Sequence, residues 1–379
     1  MLIQQDTQQN LIQYFTDLPA DRINQDNGVY EDAGQPCCVG AHLAYLLRAQ
    51  WGSTFCHEFY YLAGADALAH QLGGTRAHLI LMLRACGAGH DPFSTAPWPT
   101  PPAEVFQRLV QVETLPSLFC ADLQKVDLRH ADLQKANLMG VNLSEAKLLK
   151  ANLQKANLYR ANLREADLRA ADLRESILTE VILTEGNLSD AKLSSANLFQ
   201  ANLFRVNLTD ANLQEANLQE ANLTQAIMHE TFCEKTDLSR AILREAILSR
   251  AFLWKANLQE ATLQEATLTE VDLTQANLKR ALLWKANLQK AALTQADLTE
   301  ANLRRANLET TDLIKATLKR AILWKANLQK ADLRKADLTE ADLTEADLTN
   351  ADLSWANLTK ANLKGADRTG MKRTGARLI

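Results

Sequence analysis

Long hydrophobic segments are missing from this sequence of 379 residues, and no stretch approaches the roughly 18 apolar residues of a membrane span. The first ten residues lack the basic and apolar regions of a secretory signal. Six cysteines in a chain of this length are too few for a disulfide-rich fold. These absences predict a cytoplasmic protein with reduced thiols.

An excess of one charge is also missing, because 41 Lys and Arg residues oppose 45 Asp and Glu residues. Residues 1–115 contain no lysine and carry a net charge of −6, whereas residues 116–379 hold 36 basic and 34 acidic residues. Neither part has the strong basic bias of a non-specific nucleic-acid or membrane-surface binder. The composition therefore argues against membrane and nucleic-acid partners.

A repeat of five residues occupies most of the chain. From Leu118 to Leu363 every fifth residue is hydrophobic without an insertion, and 48 of these 50 residues are leucine. Ala usually lies two positions before the leucine, and Asp or Asn lies directly before it. Because Ala and Leu are two residues apart, an extended segment points both to one face, and Asp or Asn favours a following turn. The repeat predicts a tube of short straight sides filled by Leu and Ala.

Charged residues predict how many units form one coil. The last residue of every fourth unit alternates in sign over eight positions, beginning with Glu220 and Arg240 and ending with Glu340 and Lys360. If residues twenty apart stack at the spacing of neighbouring strands, about 4.8 Å, each charged side chain lies next to side chains of opposite charge and attracts them. Four units per coil and a roughly square cross-section follow.

These units resemble those of the pentapeptide-repeat family, whose pattern is A(D/N)LXX, as in Ala131-Asp132-Leu133-Gln134-Lys135. The resemblance covers residues 116–366 and implies a mainly β fold, a right-handed quadrilateral β-helix of about 12 coils. It also implies a bacterial and in particular a cyanobacterial source, and a homodimer through the C-terminal end. Some relatives mimic duplex DNA and protect DNA gyrase, a type II topoisomerase. This mimicry requires an acidic face on the relative.

The rest of the sequence predicts three further parts. Residues 1–96 form a small α-helical domain with helices at 7–17, 36–49, 58–72 and 75–86. Residues 97–115 combine a Pro-rich linker with a capping helix at 103–113. Residues 367–379 form a basic tail or cap, because the apolar centre is lost at Arg368. Whether the N-terminal domain only caps the tube or also recruits a partner stays open.

Motifs for chemistry are weak. Residues 67–86 slightly resemble a DNA-binding helix-turn-helix, but the absence of lysine argues against phosphate contacts. The spacing of the candidate metal ligands fits no standard zinc pattern; these are Cys37, Cys38, His42, Cys56 and His57. The repeat contains only two histidines, and neither a phosphate loop nor a nucleophile elbow occurs. The sequence predicts no cofactor, no metal and no enzymatic activity.

Exposed aromatic and cationic side chains form two stacked groups if a coil has twenty residues. The first places Arg304 between Trp284 and Trp324 as a cation–π sandwich, and the second lies on another side. The candidate protein-binding residues are Trp284, Arg304, Trp324, Lys285, Arg305, Lys325, Leu282, Ile322, Phe232, Phe252 and Trp254. Such aromatic residues suit a binding surface, but they also suit the stabilisation of neighbouring coils.

The sequence therefore favours a non-enzymatic scaffold or regulator that presents a rigid rod to an unidentified protein. The first alternative is a DNA mimic acting on a type II topoisomerase, although the nearly neutral repeat departs from an acidic face. The second is an enzyme or metal protein that uses the Cys and His residues of the N-terminal domain.

Overall fold

Two short strands and one long β-helix account for the residues that the structure, a computed structural model, describes: 29–32, 35–38 and 123–377. β1 (Val29–Asp32) and β2 (Gln35–Cys38) pair antiparallel, with Val29 opposite Cys38. Residues 36–38, the start of the helix predicted at 36–49, therefore lie in a strand instead, and residues 39–49 lie outside the described residues. Pro36 lacks an N–H donor, but a two-stranded sheet tolerates it because each strand has an unpaired edge. The other predicted helices, at 7–17, 58–72, 75–86 and 103–113, lie outside the described residues.

Each unit of the β-helix consists of one straight side and one turn. The N–H of the Ala position donates to the carbonyl of the preceding Leu position, as from Ala136 to Leu133 at 3.0 Å, and this bond closes a β-turn. The third residue of the turn, which is the last of its unit, has a φ of 53–64° wherever it is not glycine. Positive φ at this position alone is the signature of a type II turn.

The Asp or Asn of each unit stabilises the turn that follows it. Its side-chain oxygen accepts a hydrogen bond from the N–H two residues later, as Asn207 does from Thr209 at 3.0 Å. Between coils the Asn side chains also form ladders, for example from Asn327 to Asn307 at 3.0 Å and from Asn307 to Asn287 at 3.1 Å. These two roles explain the preference for Asn and Asp.

Four units form one coil, as the sequence predicted. Parallel bridges join residues that are twenty apart along 127–377, such as Asn257 and Asn277. The N–H of Leu258 donates to the carbonyl of Asn277 in the next coil at 2.7 Å. The Leu and Ala positions from 123 to 358 are buried and form one continuous core. The other three positions of each unit face outward.

The β-helix extends past residue 366, where the sequence predicted a tail or cap. Bridges continue from Asp347 to Asp367, from Asp352 to Lys372 and from Asn357 to Arg377. Glycine occupies the positive-φ position in the last three turns, at 365, 370 and 375. These glycines, five residues apart, continue the turns of the repeat after the last leucine of the repeat.

The least regular part of the core lies near residue 230. Met228 and Cys233 replace leucine there and are fully buried, and burial raises the pKa of the Cys233 thiol to about 12. Thr231 and Thr236 replace alanine, and their hydroxyls donate to the carbonyls of Leu208 and Leu213. The bridges continue through this region, so no loop interrupts the register between residues 123 and 377.

Candidate functional site

The Trp patch comprises the eight residues of the first predicted group: Leu282, Trp284, Lys285, Arg304, Arg305, Ile322, Trp324 and Lys325. It spans three successive coils at one corner of the β-helix and the side before that corner. Leu282, Asn302 and Ile322 are bridged in order along this side, so the predicted stacking is present. Both indoles are half-buried, whereas all four cations are exposed. The arrangement places apolar surface directly beside positive charge.

The predicted sandwich of Arg304 between two indoles is absent from the described structure. Lys285 Nζ lies 4.3 Å from the ring centroid of Trp284, and Lys325 Nζ lies 4.6 Å from that of Trp324. The guanidinium that approaches Trp324, at 5.2 Å, belongs to Arg305. The last residue of each unit follows the tryptophan position in the same turn, and its side chain covers the ring. Arg304 therefore keeps its guanidinium exposed to solvent.

A second surface surrounds the irregular core near residue 230, and we call it the apolar belt. It consists of Ile227, Phe232, Ile242, Ile247 and Phe252, each 40–45% exposed. Residues 242, 247 and 252 belong to consecutive units, so the belt covers three adjacent sides of one coil. The candidate residues predicted from the sequence did not include Ile227, Ile242 and Ile247, although their replacement of Asn or Asp was the available signal.

The two phenylalanines of the belt stack on each other. Their ring centroids are 5.1 Å apart, with an interplanar angle of 8°. At the next corner, Lys255 Nζ lies 4.1 Å from the ring centroid of Trp254. A shallow, open depression lies beside Phe232 and is lined in part by Lys192 and Asn212. The stacked phenylalanines of the predicted second group thus lie beside a shallow concavity.

The alternating charge row at another corner forms a ladder of ion pairs. Arg240 contacts Glu220 at 3.0 Å and Glu260 at 3.6 Å. Arg280 continues the row with Glu260 at 3.6 Å and Glu300 at 3.0 Å, and Arg320 contacts Glu300 at 2.9 Å. The charge argument for four units per coil is confirmed. This corner carries paired charges and no exposed apolar residue, which favours a structural role.

Acid should weaken the β-helix through this ladder. A hydrogen bond from Arg280, and then the charge of Arg320, lower the pKa of the Glu300 carboxyl. A folded-state pKa below the unfolded value stabilises the fold above the unfolded pKa, and that stability is lost as the pH falls through the folded pKa. We expect the melting temperature to fall as the pH decreases below about 4.3, the ordinary pKa of a glutamate.

The variant R280Q/R320Q should show a weaker dependence of melting temperature on pH, measured by circular dichroism. The matched control is K315Q/K330Q, because neither lysine has a carboxylate within 4.0 Å in the described structure. An equal acid dependence in R280Q/R320Q and wild type would show that the ladder does not contribute.

Clusters of side chains that could hold a metal ion are absent from residues 123–377. No group of three or more His, Cys, Asp or Glu side chains in this range is placed to hold a metal ion. Among the candidate ligands, Cys37 and Cys38 lie in β2, whereas His42, Cys56 and His57 lie outside the described residues. No helix within the described ranges is long and apolar enough to cross a membrane.

Comparison with protein families matches the repeat region. The family described as pentapeptide repeats, in eight copies, matches segments that together span residues 121–367. The chain belongs to the pentapeptide-repeat family. Membership implies the right-handed β-helical solenoid, and no curated protein matches the chain.

Solved structures similar to this chain are also pentapeptide-repeat proteins. HetL from the cyanobacterium Nostoc sp. strain PCC 7120, involved in heterocyst differentiation regulation, is 34% identical over 60% of this chain and 89% of its own (TM-score 0.37). A protein from the cyanobacterium Cyanothece 51142 is 33% identical over 27% of this chain and 64% of its own (TM-score 0.19). QnrB1, a plasmid-mediated fluoroquinolone resistance protein, is 16% identical over 57% of this chain and 90% of its own (TM-score 0.24).

Proposed function

We propose that this pentapeptide-repeat protein is a non-enzymatic scaffold or regulator that binds a protein partner on its outer surface. The apolar belt carries the proposal. Its five residues occupy the outward position that is usually Asn or Asp, so they add nothing to the core between Leu and Ala. Exposed aromatic and aliphatic clusters on a regular solenoid are typical of protein-binding surfaces.

The variant F232N/F252N tests whether the belt binds a partner. Asn212 occupies the same position one coil earlier, so asparagine fits this side. Loss of the ring stack costs about 0.5–1.5 kcal/mol beyond the apolar burial that the two rings lose, and a new side-chain bond to the turn offsets part of it. We therefore expect a modest fall in melting temperature, together with loss of a partner that wild type retains from an extract of the source organism.

The matched control is I177N/I182N, which replaces two side chains that are 44% and 41% exposed outside the belt. This variant should retain the partner. If F232N/F252N instead melts far below wild type and still retains every partner, the belt only stabilises neighbouring coils. If wild type itself retains no partner, the scaffold proposal fails.

A DNA mimic that protects gyrase is the alternative function. No charge feature of the described rod favours it, because residues 116–379 are nearly neutral and the ladder corner alternates in sign. We expect the protein neither to inhibit supercoiling by gyrase nor to protect the enzyme from a fluoroquinolone. Protection in a supercoiling assay would replace the scaffold proposal with this one.

Cytoplasmic location and dimerisation through the C-terminal end stay predictions. The final coil carries five basic residues and one acidic residue, Asp367; the basic residues are Lys364, Arg368, Lys372, Arg373 and Arg377. Two copies meeting at this end would bring like charges together, so a dimer formed there should strengthen as salt screens the repulsion.

A further inference from the structure

Unneutralised cations mark the centre of the Trp patch. The corner row through the patch reads, in coil order, Glu265, Lys285, Arg305, Lys325 and Glu345. The outer lysines are paired, with Lys285 Nζ 3.3 Å from Glu265 and Lys325 Nζ 3.1 Å from Glu345. Arg305 lies between the two lysines. Within the described residues neither Arg305 nor its neighbour Arg304 forms an ion pair within 4.0 Å.

Three stacked cations are unusual in this molecule. Each corner row consists of the last residues of every fourth unit, and the row at 285, 305 and 325 is the one place in 123–377 with three Lys or Arg in succession. Like charges at strand spacing are destabilising, whereas the ladder from Glu220 to Arg320 alternates and attracts. Repulsion at the patch is relieved when an anionic group binds.

The surroundings of the two arginines restrict that anion to one attached to an apolar chain. Trp284 and Trp324 lie on opposite sides of Arg304, two coils apart, which is about 10 Å at strand spacing. A peptide in the polyproline II conformation rises about 3.1 Å per residue with three residues per turn, so side chains three residues apart lie on one side of it, about 9 Å apart. The planar guanidinium groups favour a carboxylate, which they bind through paired hydrogen bonds.

We propose that the Trp patch binds an extended acidic segment of a partner protein. A carboxylate of this segment pairs with Arg304 and Arg305, and apolar side chains about three residues apart, on one side of a polyproline II backbone, contact Trp284 and Trp324. The inference rests on the proposed scaffold function and specifies the partner chemistry of one of its surfaces.

Single-stranded nucleic acid, which also uses aromatic and cationic side chains, fits this corner less well. Binding along a strand requires a continuous basic groove. Here the row changes to Glu265 on one side and Glu345 on the other, so phosphates beyond the three-coil cationic stretch would meet carboxylates. A short segment with one central acidic group avoids that repulsion.

A phage-displayed library of random peptides, selected on the full chain and counter-selected on R304E/R305E, tests the inference. We expect patch-dependent peptides to carry Asp or Glu flanked by apolar residues. A synthetic copy of such a peptide should bind R304E/R305E and W284A/W324A at least about tenfold more weakly than wild type, which corresponds to one strong charge-assisted contact. Circular dichroism melts confirm that the variants are folded.

The control R334E/K335E reverses the same two positions of a unit at another corner, and its affinity for the peptide should equal that of wild type. Patch-dependent peptides that are basic or uncharged would overturn the inference while leaving the scaffold proposal intact. Recovery of no patch-dependent peptide, or binding of a fluorescein-labelled oligo(dT) to wild type but not to R304E/R305E, would also overturn it. The scaffold proposal itself fails separately, in the belt experiment.

Discussion

Replacement of Leu258 by lysine should unfold the β-helix at temperatures at which wild type is intact. Leu258 is fully buried in the middle of the Leu and Ala core. The change removes about 1.5–3 kcal/mol of apolar burial and places an ammonium group among side chains that accept no hydrogen bond. An unpaired buried charge costs several kcal/mol more. For a chain of this size, we expect the melting temperature to fall by about 10–20 °C.

The matched control for L258K is T262K, which adds the same charge to an outward position that lysine already occupies at 147 and 192. Circular dichroism should show a nearly unchanged melt for T262K. Because each coil contacts only its neighbours, L258K should also broaden the transition or split it into two steps. An unchanged melt for L258K would contradict the inward orientation of the leucine row.

The rod was predictable because one physical rule applies fifty times. Alternation of Ala and Leu fixes the inward face, Asn and Asp fix the turn, and the charge row from Glu220 to Lys360 fixes twenty residues per coil. Each signal is local and repeats without interruption. The same rule placed the members of the Trp patch and of the Phe232–Phe252 stack in their correct rows.

Two kinds of feature were not predictable in this way: those that depend on side-chain direction, and those where a different residue type comes to mark the structure. Row position alone suggested that Arg304 contacts two indoles. Because of the order of residues within a turn, however, Arg305 and Lys325 are the cations that contact the ring of Trp324. The end of the rod was placed at 366 because the leucine signal stops, although the glycine at every fifth residue continues to Gly375. Pro36 suggested a helix start, but proline also occupies an edge strand.

The left-handed backbone at the end of each unit makes a second strong prediction. Lys330 has a φ of 55°, is exposed, and forms no ion pair within 4.0 Å in the described structure. Valine at this position should lower the free energy of unfolding by about 1–2 kcal/mol, because its branched Cβ crowds the backbone at positive φ. Glycine should instead raise it by up to about 1 kcal/mol, because it adopts this conformation without strain. The choice of residues agrees, since within residues 123–377 Thr310 is the only β-branched residue among the non-glycine positions of this kind.

Changes of opposite sign in the free energy of unfolding, caused by two substitutions at one exposed position, separate backbone strain from every effect of burial or charge. K330V and K330G both remove the same charge, and neither changes the core, so chemical denaturation should place wild type between them. The control T262V puts the same side chain on an extended outward position, where β-branched residues are favoured, and should not destabilise the rod. If K330V and K330G shift stability in the same direction, the loss of the lysine dominates and the conformational argument is wrong.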